Sequence, residues 1–180
     1  MLHVVGLVRG VTYLDNIMYV VCDRSSTIRL YNMDTYSPLD VVSNVDGMKD
    51  PSDMVVSRDD HQLFIADWSC IWRVSVGDQS YVKWLTTQST GHSFPTLSLT
   101  SRRLLVTSLD SRRLLHYDVT DRQLLRVVDL PEHVMYVYHA VETTRGTFVV
   151  CHRGTLHNED QDAVSELFSF CHRCQLIRTK

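Results

Sequence analysis

Side chains that build a helix surface at little cost are scarce here, with only three Ala, four Glu and three Lys among 180 residues. That scarcity argues against a helical bundle, a coiled coil or a doubly wound α/β enzyme. No apolar run approaches the roughly 20 residues of a membrane-spanning helix. The opening MLHVVGLVRG has a short apolar stretch interrupted by His3 and no basic leader, so no signal peptide is expected. Neither sign of charge dominates. A net charge of −3 gives no long-range pull toward nucleic acid or an anionic membrane. Cys22, Cys70, Cys151, Cys171 and Cys174 are scattered and odd in number, and no Asn-x-Ser/Thr sequon occurs. Reduced thiols in a cytoplasmic chain are the expectation.

What the chain does have is β-branched residues, 24 Val, 5 Ile and 15 Thr. Their stiff χ1 suits the pleated, half-buried surface of a sheet. With 44% apolar and 22% charged residues, the sequence has the means to fold. The composition reads as all-β.

A repeat organises it. Val11, Met54, Leu97 and Ala140 are each 43 residues apart, inside GVTYL, DMVVS, TLSLT and HAVET. Ile28, Ile71 and Leu114 keep the same step, as do Val41, Trp84 and Val127. Tyr19, Phe64, Leu105 and Phe148 step by 45, 41 and 43, a drift that turns of different length would produce. Each unit holds four short apolar-rich runs. Asp15-Asn16, Asp59-Asp60, Ser101-Arg102 and Arg145-Gly146 separate the first run from the second. Runs this short, bounded by turn residues, read as strands. Four strands per unit at this period is the pattern of a β-propeller of four-stranded antiparallel blades. The blades are expected at about 8–46, 47–90, 91–133 and 134–180. In the fourth, AVSELF is expected as the third strand. Ile177 then falls on the fourth, with seven extra residues inserted before Val164. Val164, Leu167, Phe168, Cys171 and Cys174 also recur at helical spacing, so the tail is open to a second reading.

The second unit, DPSDMVVSRDDHQLFIADWSCIWRVS, resembles an NHL-type repeat through Pro51, Leu63 to Asp67, Ile71, Arg73 and Val74. Cys22 and Ser108 stand where units 1 and 3 would need that repeat's Asp. The resemblance implies a six-bladed TolB-like propeller. Four units then make an open arc or partial ring, whose free blade edges invite self-association. It also implies a non-enzymatic protein-interaction module of the substrate-recognition type found in tripartite-motif ubiquitin ligases. Any ligase activity would come from another polypeptide.

In an antiparallel meander the turns between second and third strands share a side with the connections between blades. That face is expected to collect Arg24, Trp68, Arg112, His152 and Arg153, with the long segment to Asp162. Loops on a rigid scaffold carry recognition, and Trp and Arg dominate binding hot spots. These five residues are the expected partner-binding face, and a protein is the expected partner.

Three other chemistries are weaker. Gluconolactonase-like hydrolases have similar blades and hold a divalent cation with oxygen ligands in the channel. At the matching positions this chain offers Gly10, Asp53, Thr96 and His139, one carboxylate and one imidazole. Phosphate loops, G-x-S-x-G and H-E-x-x-H are missing from the sequence. Cys171 and Cys174 form a lone C-x-x-C, half of a four-ligand zinc set. Cys151 and His152 could add to it only if the tail folds back across the blade. Single-stranded RNA binding is the runner-up among functions. Only the third unit is net positive, with six basic against five acidic side chains, and Asp110, Asp118 and Asp121 intervene. The expectation is no enzyme, no cofactor, no metal and no membrane association.

Overall fold

A computed structural model describes residues 6–39, 43–68, 70–86, 94–100, 102–154 and 173–177. Every regular element among them is a β-strand, and no helix is long and apolar enough to cross a membrane. Blade 1 is β1 (Val8–Leu14), β2 (Ile17–Cys22), β3 (Thr27–Asn32) and the two-residue β4 (Ser43–Asn44). Blade 2 is β5 (Pro51–Ser57), β6 (Gln62–Asp67), β7 (Cys70–Ser75) and β8 (Tyr81–Thr86). Blade 3 is β9 (Pro95–Thr100), β10 (Arg103–Ser108), β11 (Arg113–Asp118) and β12 (Leu124–Asp129). Blade 4 consists of β13 (Val134–Glu142), β14 (Phe148–Gly154) and β15 (Arg173–Ile177). Within each blade, strands pair antiparallel in chain order. The innermost strands β1, β5, β9 and β13 stand side by side in that order. This is a β-propeller arc of four blades.

The 43-residue step has a physical meaning. Met54 packs with residues of blade 1, Leu97 with residues of blade 2 and Ala140 with residues of blade 3. The repeating position is therefore the one that each innermost strand turns back toward the preceding blade. Met54, Leu97 and Ala140 are 3%, 1% and 2% exposed, whereas Val11, with no described blade before it, is 53% exposed. Burial at this site comes from the neighbour, not from the strand's own sequence.

The outer faces of the arc are less bare than an open propeller suggests. On blade 1, Val11 and Tyr13 are exposed, but Val20, Cys22 and Tyr31 on the same face form a small buried cluster. On blade 4, Val141 is exposed while Val149 and Cys151 are half-buried. The exposed apolar surface at the two ends is thus concentrated along the innermost strands. That narrows the surface the sequence offers for self-association.

Blade 4 differs from its expected layout. β15 pairs directly with β14, Ile177 opposite Phe148 and Cys174 opposite Cys151. Residues 173–177 hence take the third-strand place, not the fourth, and Ile177 buries against blade 3. The sequence spacing misled because several apolar runs in the tail could fill that place, and packing selected the last. AVSELF and Cys171 lie outside the described residues.

Close approach between blades 1 and 2 depends on Gly10. A Cβ there would stand 2.9 Å from the Met54 nitrogen and 3.1 Å from the Asp53 carbonyl carbon. Those are backbone atoms and have nowhere to go. A side chain at this position would force β1 away from β5.

Candidate functional site

Strand pairing defines the loop face. Val8 is opposite Cys22, Pro51 opposite Asp67, Pro95 opposite Ser108 and Val134 opposite Gly154. The innermost strands therefore all begin on the side where the second-to-third turns lie. Connections between blades arrive on that side too.

The best-organised part of this face grows out of Asp67. Its carboxylate is buried and accepts hydrogen bonds from the Asp50 N–H at 2.7 Å, the Trp68 N–H at 2.9 Å, the Trp72 indole at 3.1 Å and the Lys49 N–H at 3.2 Å. One side chain thus fixes the loop between blades 1 and 2 and the residue that opens the β6–β7 turn. A carboxylate can accept this many bonds because it offers about four lone-pair directions. Cys70 sits in the same pocket, where burial and then the Asp67 charge push its thiol up to about 11. That makes it a poor nucleophile at neutral pH.

Trp68, held by this clamp, is 38% exposed. Its ring meets Phe94 edge-on, with centroids 5.8 Å apart. The Arg9 guanidinium lies 5.9 Å from the centre of the Phe94 ring and bonds Asp23 through Nε at 2.8 Å. Arg9, Trp68 and Phe94 come from blades 1, 2 and 3, so the cluster spans three blades beside the channel mouth. Cation–π and edge-to-face contacts each contribute on the order of 0.5–1.5 kcal/mol. The cluster is therefore preorganised, and part of Trp68 stays in water.

The five expected residues fare differently. Arg24 is exposed at a left-handed turn position with φ of 52°, its Nε 3.7 Å from Asp23. Arg112 is exposed in the β10–β11 turn, two blades further round. Trp68 joins Phe94 and Arg9. His152 is not on a loop: it belongs to β14, is 3% exposed and turns with Val150 toward blade 3. Its Nδ1 has no hydrogen-bond partner among the described residues. Arg153 is also in β14, paired with Met135, and its side chain lies outside the described residues. The strand runs longer than the apolar run FVVC indicated, because backbone pairing with β13 carries it through His152 to Gly154.

Arg9 and Phe94 were missed by sequence reasoning, yet the repeat contained a signal. Arg9 and Pro95 are two repeat steps apart, and Phe94 precedes Pro95, so both had to begin innermost strands on the loop side.

Around the channel, the structure brings together two residues that the sequence left apart. The His139 Nδ1 lies 3.8 Å from the Asp53 Oδ2. That oxygen also accepts the Leu97 N–H at 2.8 Å, and Oδ1 accepts the Met54 N–H at 2.8 Å. Burial pushes the Asp53 carboxyl above its usual range, against the two backbone donors and His139, which pull it down. Thr96 and Thr107 hydrogen-bond to each other through their hydroxyls. Asp53 thus acts as a strut between blades 2 and 3. Among the described residues, no three His, Cys, Asp or Glu side chains converge as metal ligands would.

No family model and no curated protein matches the sequence. Solved structures do match by shape. Kuenenia stuttgartiensis hydrazine synthase superposes with a TM-score of 0.66 at 15% identity, over 82% of this chain and 44% of that one. The Cps50 (Swd1) β-propeller domain of Myceliophteria thermophila gives 0.61 at 11% identity, over 81% and 49%. The computationally designed Ika8 protein gives 0.55 at 15% identity, over 79% and 42%. The chain spans less than half the length of each. At these identities the likeness establishes the fold, a β-propeller, and nothing about activity.

Proposed function

We propose that this chain is a non-enzymatic protein-interaction module that binds its partner on the loop face. The observation that supports this reading most is the Arg9–Phe94–Trp68 cluster, built from three blades and left partly in water. Arg and aromatic side chains held rigid at the centre of a face are the residue types that carry binding energy. Arg24 and Arg112 stand on second-to-third-strand turns of the same face, in blades 1 and 3. The finer assignment, the substrate-recognition end of a tripartite-motif ubiquitin ligase acting in the cytoplasm, rests on the NHL-like text of unit 2. The ligase chemistry itself would belong to a partner.

Affinity capture with wild type, Trp68→Ala and an Arg24→Ala/Arg112→Ala double variant tests the proposal, with thermal melts confirming equal folding. The expected result is a protein retained by wild type and reduced at least about tenfold by Trp68→Ala. Equal capture by both would overturn it. Binding of single-stranded RNA that weakens steeply with salt, with no protein captured, would favour the RNA reading instead.

A further inference from the structure

A second surface lies between blades 2 and 3 at their outer rim. On blade 2, Arg73 pairs with Phe64 on one side and Val82 on the other, so all three side chains face blade 3. On blade 3, Val127 pairs with Leu115 and Leu124 with Tyr117, which turns these residues toward blade 2. Deep in the gap, Phe64, Trp84 and Tyr117 close the interface with edge-on ring contacts of 5.2 and 6.1 Å. At the rim it stays open: Val82, Leu124 and Val127 are 41%, 46% and 43% exposed. Two features of this wedge remain unmatched. Arg73 is half-buried and has no carboxylate or other acceptor among the described residues. The Trp84 indole N–H is buried with no hydrogen-bond partner among the described residues. Among the described residues, strand β12, which forms one wall, pairs with β11 alone, so the backbone groups on its outer edge have no strand partner there.

We propose that this wedge docks an extended segment of a partner protein in which one carboxylate is flanked by apolar side chains. The segment lies along the free edge of β12 as an added strand. Its apolar residues cover Val82, Leu124 and Val127, and its Asp or Glu pairs with Arg73. Charge and shape select this occupant. A half-buried guanidinium among apolar neighbours gains most from a carboxylate, which it holds with two parallel bonds. An unpaired strand edge supplies main-chain affinity to an extended peptide, and alternate side chains supply specificity. The site is separate from the loop face and does not depend on Trp68.

Fluorescence anisotropy with a labelled hexapeptide, Val-Thr-Asp-Thr-Leu-Thr, whose Val, Asp and Leu share one face of a strand, and its Asn counterpart tests the proposal on the full chain. The Asp peptide should bind saturably, and the Asn peptide about tenfold more weakly. Arg73→Gln should erase the difference between the two peptides. Val127→Asp should abolish binding, while Trp68→Ala leaves it intact, which separates this site from the loop-face proposal. Thermal melts of Arg73→Gln and Val127→Asp confirm folding. No saturable binding up to about 1 mM would overturn the proposal. So would an equal preference for both peptides, or self-association of the protein that Val127→Asp abolishes, which would make a second copy the occupant.

Discussion

The Asp53 carboxylate accepts the Leu97 backbone N–H at 2.8 Å, bridging the innermost strands of adjacent blades across 44 residues of sequence. Each innermost strand has one edge paired within its blade, so the donor on Leu97 must find an acceptor next door. Replacing Asp53 with Ala leaves the Leu97 and Met54 N–H groups without that acceptor. The expected cost is about 1–3 kcal/mol, read as a lower midpoint in urea with an unchanged slope.

Gly10 is a packing requirement, not a flexible point. Gly10→Ala brings a methyl to within 2.9 Å of the Met54 nitrogen, so the blade 1–blade 2 interface must open. Such overpacking typically costs about 1–3 kcal/mol. Gly77, where an added Cβ meets nothing within 4 Å, is the control, and Gly77→Ala should leave the melting temperature unchanged.

The repeat predicts unequal outcomes at equivalent positions. Val11→Asp places its charge in water and should shift stability by about 0.5 kcal/mol or less. Leu97→Asp, 1% exposed at the same place in blade 3, buries an unpaired carboxylate and should prevent folding. Circular dichroism melts of the two variants make the comparison.

His116 makes stability depend on pH. It is buried between blades 3 and 4, with Phe148 edge-on at 5.3 Å and the Glu142 carboxylate 3.8 Å from Nδ1. Burial lowers its pKa below the ordinary 6.5, Glu142 opposes that shift, and Arg126 and Arg103 reinforce it. The unfolded chain therefore takes up the proton first as pH falls. Stability contributed by neutral His116 is complete above about 6.5 and is lost on the acid side, by at most about 1.4 kcal/mol per pH unit. His116→Gln should flatten the dependence of the urea midpoint between about pH 6.5 and 5 relative to wild type.

Much of the fold was legible because burial in a propeller is periodic. One step of 43 residues marks the positions that meet the preceding blade, and the turn residues between first and second runs are where the chain turns. The fourth blade was misplaced for a physical reason: its third strand is chosen by pairing with β14, a long-range contact that leaves no local mark on residues 173–177. The loop face was legible in part. Trp68, Arg24 and Arg112 lie where the meander geometry puts them, but His152 belongs to a strand whose length is set by its partner. The Asp53–His139 and Arg9–Phe94 contacts skip a blade, and one-dimensional spacing does not report which residues converge near an axis.

Hydrogen exchange on the complex with the captured protein tests the loop-face account most directly. The account predicts slowed exchange at residues 22–25, 67–70 and 94–96, with turns on the opposite face, such as 58–61 and 119–123, unchanged. Protection confined to those opposite turns, with residues 67–70 exchanging as in the free protein, would contradict it.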